Sequence, residues 1–130
     1  NGYANPLTDL YGGGAIIAGG GTGNSLTVTN CNFSNNVVPT DPGVNGPGGA
    51  INNVVSGNLT INNCTFSNNR TNDNEGGAIY FFVYTAGVGD PQFAGNLVIT
   101  NSTFSGNSAG ENHAIFSTKP KIGTERNFES

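Results

Sequence analysis

Charged residues are scarce in this chain of 130 residues. It has 8 acidic and 4 basic residues, so that 9% of it is charged, against about 25% in an average soluble domain. Three of the four basic residues lie in the last dozen positions, which leaves no basic face to neutralise a phosphate backbone and excludes nucleic-acid binding. No apolar run reaches the roughly 18–20 residues that a membrane span requires, so such a span is excluded as well.

Glycine and asparagine are the abundant residues, with 21 and 22 copies. Both disfavour helix interiors, so the composition argues against a helical fold. Glycine shows no three-residue period, which excludes collagen. Disordered chains combine low hydrophobicity with high net charge, whereas this chain is 35% hydrophobic with a net charge of −4. The composition favours one ordered, repetitive domain.

Two sequence motifs alternate along the chain. Gly-Gly-Ala-Ile occurs at 13–16, 48–51 and 76–79, and becomes Asn-His-Ala-Ile at 112–115. The second motif begins at Leu26, Leu59 and Leu97, and a phenylalanine follows each leucine by seven residues. Length varies only between the motifs, in segments rich in turn residues. A constant repeat with variable loops is typical of a solenoid.

Apolar and polar residues alternate within each repeat, as in Leu26-Thr-Val-Thr, and this period of two predicts a half-buried strand. The alternation restarts after an asparagine, which is predicted to occupy a bend because asparagine tolerates a left-handed backbone. Gly-Gly-Ala-Ile begins a third strand. Three short strands per coil predict an all-β parallel β-helix of about three coils plus a partial fourth. A β-sandwich is the alternative, but it gives no reason for two motifs to recur in step.

Stacked coils place equivalent residues above one another, ~4.8 Å apart. We predict an N-terminal segment at 1–12, the β-helix at 13–117 and a C-terminal tail at 118–130. Side-chain amides at the bends are predicted to form a ladder of Asn30, Asn63 and Asn101. The predicted core columns are Leu26/Leu59/Leu97, Val28/Ile61/Ile99, Phe33/Phe66/Phe104 and Ile16/Ile51/Ile79/Ile115.

The alternating Gly-Gly-Ala-Ile and Phe-Ser-Asn-Asn motifs resemble the repeats of polymorphic outer membrane proteins and of similar bacterial surface β-helix proteins. The resemblance covers residues 13–117 and departs from the pattern at Asn112-His113. It implies a right-handed parallel β-helix that is displayed outside the cell and is often adhesive. The chain does not begin with methionine, which favours a processed or trimmed chain, and we expect a secreted protein at the cell surface or outside the cell.

Cys31 and Cys64 occupy equivalent repeat positions, so their Cα atoms are expected ~4.8 Å apart, within the range that a disulfide spans. The alternative is two free, buried thiols that act as small apolar residues, with Ser102 in the same position of the next coil. We favour free thiols because side chains in register point in parallel.

Residues suited to catalysis or metal binding are few. The only histidine is His113, which excludes a catalytic triad or a multi-histidine metal site within one chain. The acidic residues are scattered, and solvated charges at turns explain the nearest approach to a cluster, Asp73, Glu75 and Glu111. We expect no enzymatic activity, no metal and no cofactor.

The ends of the predicted solenoid show no capping helix in the sequence. Open coil ends expose unpaired backbone groups on which another chain can add strands. We hypothesise that the last coil of one subunit meets the first coil or the N-terminal segment of the next, and a contact of this kind that does not close forms a filament. The interface residues proposed are Pro6, Leu7, Leu10, Tyr11, Ile115, Phe116, Ile122 and Phe128.

Two other functions stay open. The chain is alternatively a fragment of a longer adhesin, in which neighbouring coils supply the caps and the protein binds a host or glycan surface. A minor alternative is ice binding through the outward columns Thr27/Thr60/Val98 and Thr29/Asn62/Thr100. Each column is interrupted, and the strand propensity of threonine explains it without a ligand.

Overall fold

The computed structural model describes residues 14–19, 25–39, 46–55, 57–72, 75–83, 95–110, 114–117 and 121–122. These residues form short β-strands and contain no helix. The strands are β1 (Ile16–Gly19), β2 (Ser25–Thr29), β3 (Asn32–Ser34), β4 (Val37–Val38), β5 (Ile51–Val55), β6 (Asn58–Asn62), β7 (Thr65–Ser67), β8 (Arg70–Thr71), β9 (Ile79–Val83), β10 (Leu97–Thr100), β11 (Thr103–Ser105), β12 (Ile115–Ser117) and β13 (Lys121–Ile122).

The strands stack into four parallel sheets, and each strand pairs with its equivalent one repeat later in the chain. Sheet I has the order β1-β5-β9-β12, sheet II β2-β6-β10-β13, sheet III β3-β7-β11 and sheet IV β4-β8. We call β1–β4 the first coil, β5–β8 the second, β9–β11 the third, and β12 with β13 the fourth. The parallel β-helix is thereby confirmed, because a sandwich would be built of antiparallel sheets.

The expectation of three strands per coil is wrong, because a fourth sheet closes the first two coils. Val37 and Val38 of β4 pair with Arg70 and Thr71 of β8. An isolated bridge between Arg70 and Ser108 continues this side of the solenoid into the third coil. Strands of two residues show no alternation of apolar and polar side chains, so the sequence pattern did not indicate them.

The solenoid continues past residue 117, where the motifs placed its end. Lys121 and Ile122 of β13 pair with Leu97 and Val98 of β10, so a strand without the Leu-Thr-Ile pattern still stacks on sheet II. The predicted segment 1–12 and the rest of the predicted tail lie outside the described residues.

Apolar side chains from sheets I, II and III fill the interior in columns. The isoleucine column of sheet I and the leucine column of sheet II are in register across the coils. In sheet III the rings of Phe33 and Phe66 stack with centroids 4.8 Å apart, and those of Phe66 and Phe104 lie 4.7 Å apart. This spacing equals the strand separation, so the aromatic stack follows from the backbone pairing.

Left-handed residues make the corners between sheets. Asn30, Asn63 and Asn101 have φ angles of 56°, 53° and 50°, which confirms the prediction that asparagine occupies these bends. At the corner before sheet I the coils pass so closely that a Cβ on Gly49 would lie 2.0 Å from the carbonyl oxygen of Gly77. Only glycine fits this corner, which explains the repeated Gly-Gly.

Candidate functional site

Groups of three or more histidine, cysteine, aspartate or glutamate side chains that could hold a metal ion are absent from the described part of the chain. Of the acidic residues singled out above, only Glu75 is described, and Asp73, Glu111 and His113 lie outside the described residues. The absence of enzymatic activity therefore stays a prediction. The described residues also hold no helix of the length and apolarity that crossing a membrane requires.

The amides at the first bend form a shorter ladder than the sequence predicted. Nδ2 of Asn63 donates to Oδ1 of Asn30 at 2.6 Å. Nδ2 of Asn101, however, donates to Oδ1 of Asn62 at 3.5 Å. Asn30, Asn63 and Asn101 are all exposed. The direct bond between ladder asparagines therefore joins only the first and second coils, since Asn101 bonds to Asn62 and not to Asn63. Because these side chains are exposed, water competes for their hydrogen bonds.

A second asparagine ladder, which the sequence reasoning missed, runs inside the solenoid. Nδ2 of Asn36 donates to Oδ1 of Asn69 at 2.7 Å, and Nδ2 of Asn69 donates to Oδ1 of Asn107 at 2.8 Å. Nδ2 of Asn69 and of Asn107 also donates to the carbonyl oxygens of Phe33 and Phe66, at 3.0 and 2.9 Å. Asn69 is 0% exposed. This ladder ties side chains to the backbone of the coil below at each level.

A sequence signal for the buried ladder exists in the third repeat. The first two copies read Phe-Ser-Asn-Asn, but the third reads Phe-Ser-Gly-Asn. Gly106 therefore replaces the first asparagine of the pair, at a corner with φ of 61° where Asn35 and Asn68 have φ of 56° and 54°. The first residue of the pair therefore needs only a left-handed backbone, which glycine also adopts. The second residue is asparagine in all three repeats, which indicates that its side-chain amide is required.

The structure holds Cys31 and Cys64 as free thiols. Cys64 is buried as expected, but the expectation of a buried Cys31 is wrong, because Cys31 lies on the first coil and is exposed. Each sulfur donates to the carbonyl oxygen two residues earlier, Thr29 for Cys31 and Asn62 for Cys64, both at 3.2 Å. Ser102 makes the same contact with Thr100 at 2.8 Å. Burial raises the pKa of the Cys64 thiol above its ordinary value, which lowers the fraction of reactive thiolate at neutral pH.

The edge of the first coil is the most distinctive surface of the described residues. Ile16, Leu26 and Phe33 are half-buried, although the members of their columns in the later coils are buried. Ala15 and Cys31 are exposed, whereas the equivalent residues of the second coil are buried. We call these five residues the first-coil edge. Sequence reasoning assigned three of them to the core, because a motif does not show which of its copies is covered on both sides.

At the opposite end of the solenoid, the last described apolar side chains are buried and not half-exposed. Ala114, Ile115 and Phe104 are buried although they end their columns in the described part of the chain. Leu97 is covered by β13. Among the described core columns, apolar exposure is therefore concentrated at the first-coil edge.

The residues proposed from the sequence for a subunit interface are only partly described. Ile115 pairs with Ile79, and the Phe116 ring stacks on Tyr80 with centroids 4.9 Å apart. The backbone of Ile122 pairs with Val98. The remaining residues of that set lie outside the described residues: Pro6, Leu7, Leu10, Tyr11 and Phe128.

Comparison with known proteins agrees with the repeat architecture. Residues 63–81 match the Chlamydia polymorphic membrane protein repeat. This segment runs from the corner Asn63 to Phe81 in β9, so it contains the Phe-Ser-Asn-Asn end of the second motif and the whole of Gly-Gly-Ala-Ile. No curated protein and no solved structure matches the chain. The stretch 63–81 thus carries a repeat of the polymorphic membrane protein type.

Proposed function

We propose that this protein is an extracellular structural protein whose β-helix assembles head-to-tail into a filament at the cell surface. The observation that carries the proposal is the first-coil edge, which leaves apolar side chains half-exposed at one end of a solenoid. Each Å² of apolar surface removed from water contributes about 25 cal/mol, so covering this edge favours association. The partner is a second copy of the same chain.

The scarcity of charge supports stacking of this kind. Residues 25–39 and 95–110 contain no charged side chain, and residues 14–19 and 114–117 contain none either. In-register stacking places equivalent side chains ~4.8 Å apart, where like charges repel. A coil that is nearly free of charge can therefore meet another copy without this cost.

Electron microscopy and sedimentation of the purified chain test the proposal. Filaments are expected to appear and lengthen as the protein concentration rises, because each added subunit covers one more first-coil edge. Particles that stay monodisperse at 13.3 kDa up to millimolar concentration would refute head-to-tail assembly.

A second candidate is an adhesin that binds a host or glycan surface, which the resemblance to bacterial surface β-helix proteins implies. A monomer should then bind cells or immobilised glycans with a saturable isotherm, without filaments. Binding that appears only with filaments present would argue against this candidate. We do not propose ice binding, because Val98 and Asn62 interrupt the two threonine columns and the Thr100 hydroxyl donates to Oδ1 of Asn62 at 3.0 Å.

A further inference from the structure

Five Asn-X-Ser/Thr motifs, the acceptor motif for attachment of a glycan to an asparagine side chain, occur in the sequence. They begin at Asn32, Asn58, Asn63, Asn69 and Asn101, all within the described part of the chain. A chain rich in asparagine, serine and threonine contains such motifs by composition alone. Attachment also requires an accessible side-chain amide and an accessible hydroxyl two residues later, and the five motifs differ in both.

The motif at Asn69 is closed to an enzyme in the folded chain. Asn69 and Thr71 are 0% and 1% exposed. Nδ2 of Asn69 donates to Oδ1 of Asn107 and to the carbonyl oxygen of Phe33, at 2.8 and 3.0 Å. A glycan on this nitrogen would replace a hydrogen bond of the buried ladder, so this motif is an internal negative control.

Three further motifs have exposed asparagines that are held by hydrogen bonds. Nδ2 of Asn63 donates to Oδ1 of Asn30 at 2.6 Å, and Nδ2 of Asn101 donates to a side chain of the second coil at 3.5 Å. Oδ1 of Asn58 accepts from the backbone amide of Asn96 at 3.0 Å, and its strand β6 is paired on both sides. Each of these side chains has to give up a contact or leave a paired strand before it can react.

Asn32 has none of these restraints. It is exposed at the start of β3, and its side chain makes no hydrogen bond within the described part of the chain. Phe33 packs against the core, so Asn32 and Ser34 share the outer face of the strand, where Ser34 is half-buried. Among the described strands β3 pairs only with β7, so it separates from its sheet more easily than a strand held on both sides.

We propose that Asn32 is the acceptor of an N-linked glycan. The donor is an oligosaccharide joined through a diphosphate to a polyprenyl lipid, and an oligosaccharide transferase supplies the catalytic groups. Nδ2 of Asn32 forms a bond to C1 of the first sugar, and the bond from C1 to the diphosphate oxygen breaks. The lipid diphosphate leaves with the bonding electrons, and one amide proton passes to a base of the transferase.

A glycan at Asn32 is compatible with the stacking of coils. Thr65 occupies the equivalent position of the second coil, and it is exposed although its strand β7 is paired on both sides, with β3 and β11. A coil stacked on β3 would therefore leave Asn32 exposed in the same way. The inference goes beyond the proposed assembly and does not depend on it.

The experiment incubates the folded full chain with a polyprenyl diphosphate-linked oligosaccharide and a transferase that recognises Asn-X-Ser/Thr. Intact mass counts the glycans, and peptide mapping locates them. Five synthetic peptides, one for each motif, give the rate of each motif without the fold. The folded chain is expected to take its first glycan at Asn32, and Asn69 should react about a hundredfold more slowly than in its peptide, because it is reached only after local unfolding.

A matched pair of variants tests the motif. Ser34→Ala removes the hydroxyl and keeps Asn32, so the glycan should be lost. Ser67→Ala is the control, because Ser67 is in register with Ser34 and belongs to no acceptor motif. This control should accept the glycan at the rate of the natural chain, and Ser34→Thr, which keeps a hydroxyl, should accept it as well.

The outcomes separate this inference from the proposed function. The inference is overturned if Asn32 stays unmodified in the folded chain while its peptide reacts, or if any other motif reacts ahead of it. Sedimentation of the glycosylated chain reports association independently. A chain that carries the glycan and never associates would contradict head-to-tail assembly alone, whereas filaments of a chain that accepts no glycan at Asn32 would contradict this inference alone.

Discussion

Asparagine has two separate uses in this protein, and they differ in burial. At corners it supplies a left-handed backbone, and its side chain is exposed. In the interior it supplies an amide that bridges successive coils, as Asn69 does. Both uses come from the same Asn-Asn dipeptide at 35–36 and 68–69, so composition alone does not separate them. The structural difference predicts different costs of substitution.

Removing the buried amide of Asn69 should strongly destabilise the fold. Its Oδ1 accepts from the backbone amide and the Nδ2 of Asn36, and its Nδ2 donates to two oxygens. Asn69→Ala leaves these buried partners unsatisfied, so the free energy of unfolding should fall by about 3 kcal/mol or more. Urea unfolding measures it. Asn32→Ala, at an exposed strand position, is the control and should change stability by less than about 0.5 kcal/mol.

One interior asparagine is expected to be replaceable with a gain in stability. Asn53 is 5% exposed and stands in register between Ala18 and Phe81, and its Nδ2 has no hydrogen-bond partner. Asn53→Leu removes this unsatisfied donor, so the free energy of unfolding should rise by about 1 kcal/mol. A melting temperature that falls in this variant would contradict the expectation.

Strand pairing follows the sequence wherever the alternation is long enough to be read. The four-residue pattern at Leu26, Leu59 and Leu97 predicts sheet II and its register, because a shift by one residue would turn the core side chains to solvent. The two-residue strands β4, β8 and β13 are too short to show such a pattern, although they pair with the adjacent coil. The repeat sequence likewise does not predict the exposure of the first-coil edge, because the exposure of a coil depends on what is stacked on it.

The outer face of sheet I should make the protein sensitive to alkaline pH. Burial raises the pKa of Tyr80 above its ordinary value of 10.0, and the charge of Glu75 raises it further. The unfolded chain loses this proton at lower pH than the folded chain. The stabilising contribution is therefore full below about pH 10 and is lost as the pH rises through the folded pKa.

Urea unfolding between about pH 8 and pH 11 measures this contribution. The free energy of unfolding of the natural protein is expected to fall over the alkaline part of the range, and that of Tyr80→Phe to fall less. Equal slopes for the two proteins would assign the alkaline loss to other groups. Phe suits the comparison because it keeps the ring that stacks on Phe116.

For the whole molecule, the exposure of the first coil predicts a gradient of stability along the solenoid. Leu59 is buried between two coils, whereas Leu26 is half-buried, and among the described strands of sheet II only β6 pairs with the strand that holds Leu26. Leu59→Ala should cost about 3 kcal/mol, and Leu26→Ala about half as much. Unfolding is measured below the concentration of association, because a docked partner would raise the cost at Leu26. Equal losses in the dilute monomer would contradict an open first coil.

The hydrogen bonds between coils run along the solenoid axis, and this gives the molecule a direction-dependent response to force. Tension applied along the axis loads these bonds one coil at a time, since each coil contacts only its neighbours. The core phenylalanines are separated by 33 and 38 residues, so a released coil adds ~110–130 Å of extended chain, depending on the coil. More residues separate β9 from β10 than separate β5 from β6, so the number of residues between these strands sets how much the chain lengthens when a coil unwinds.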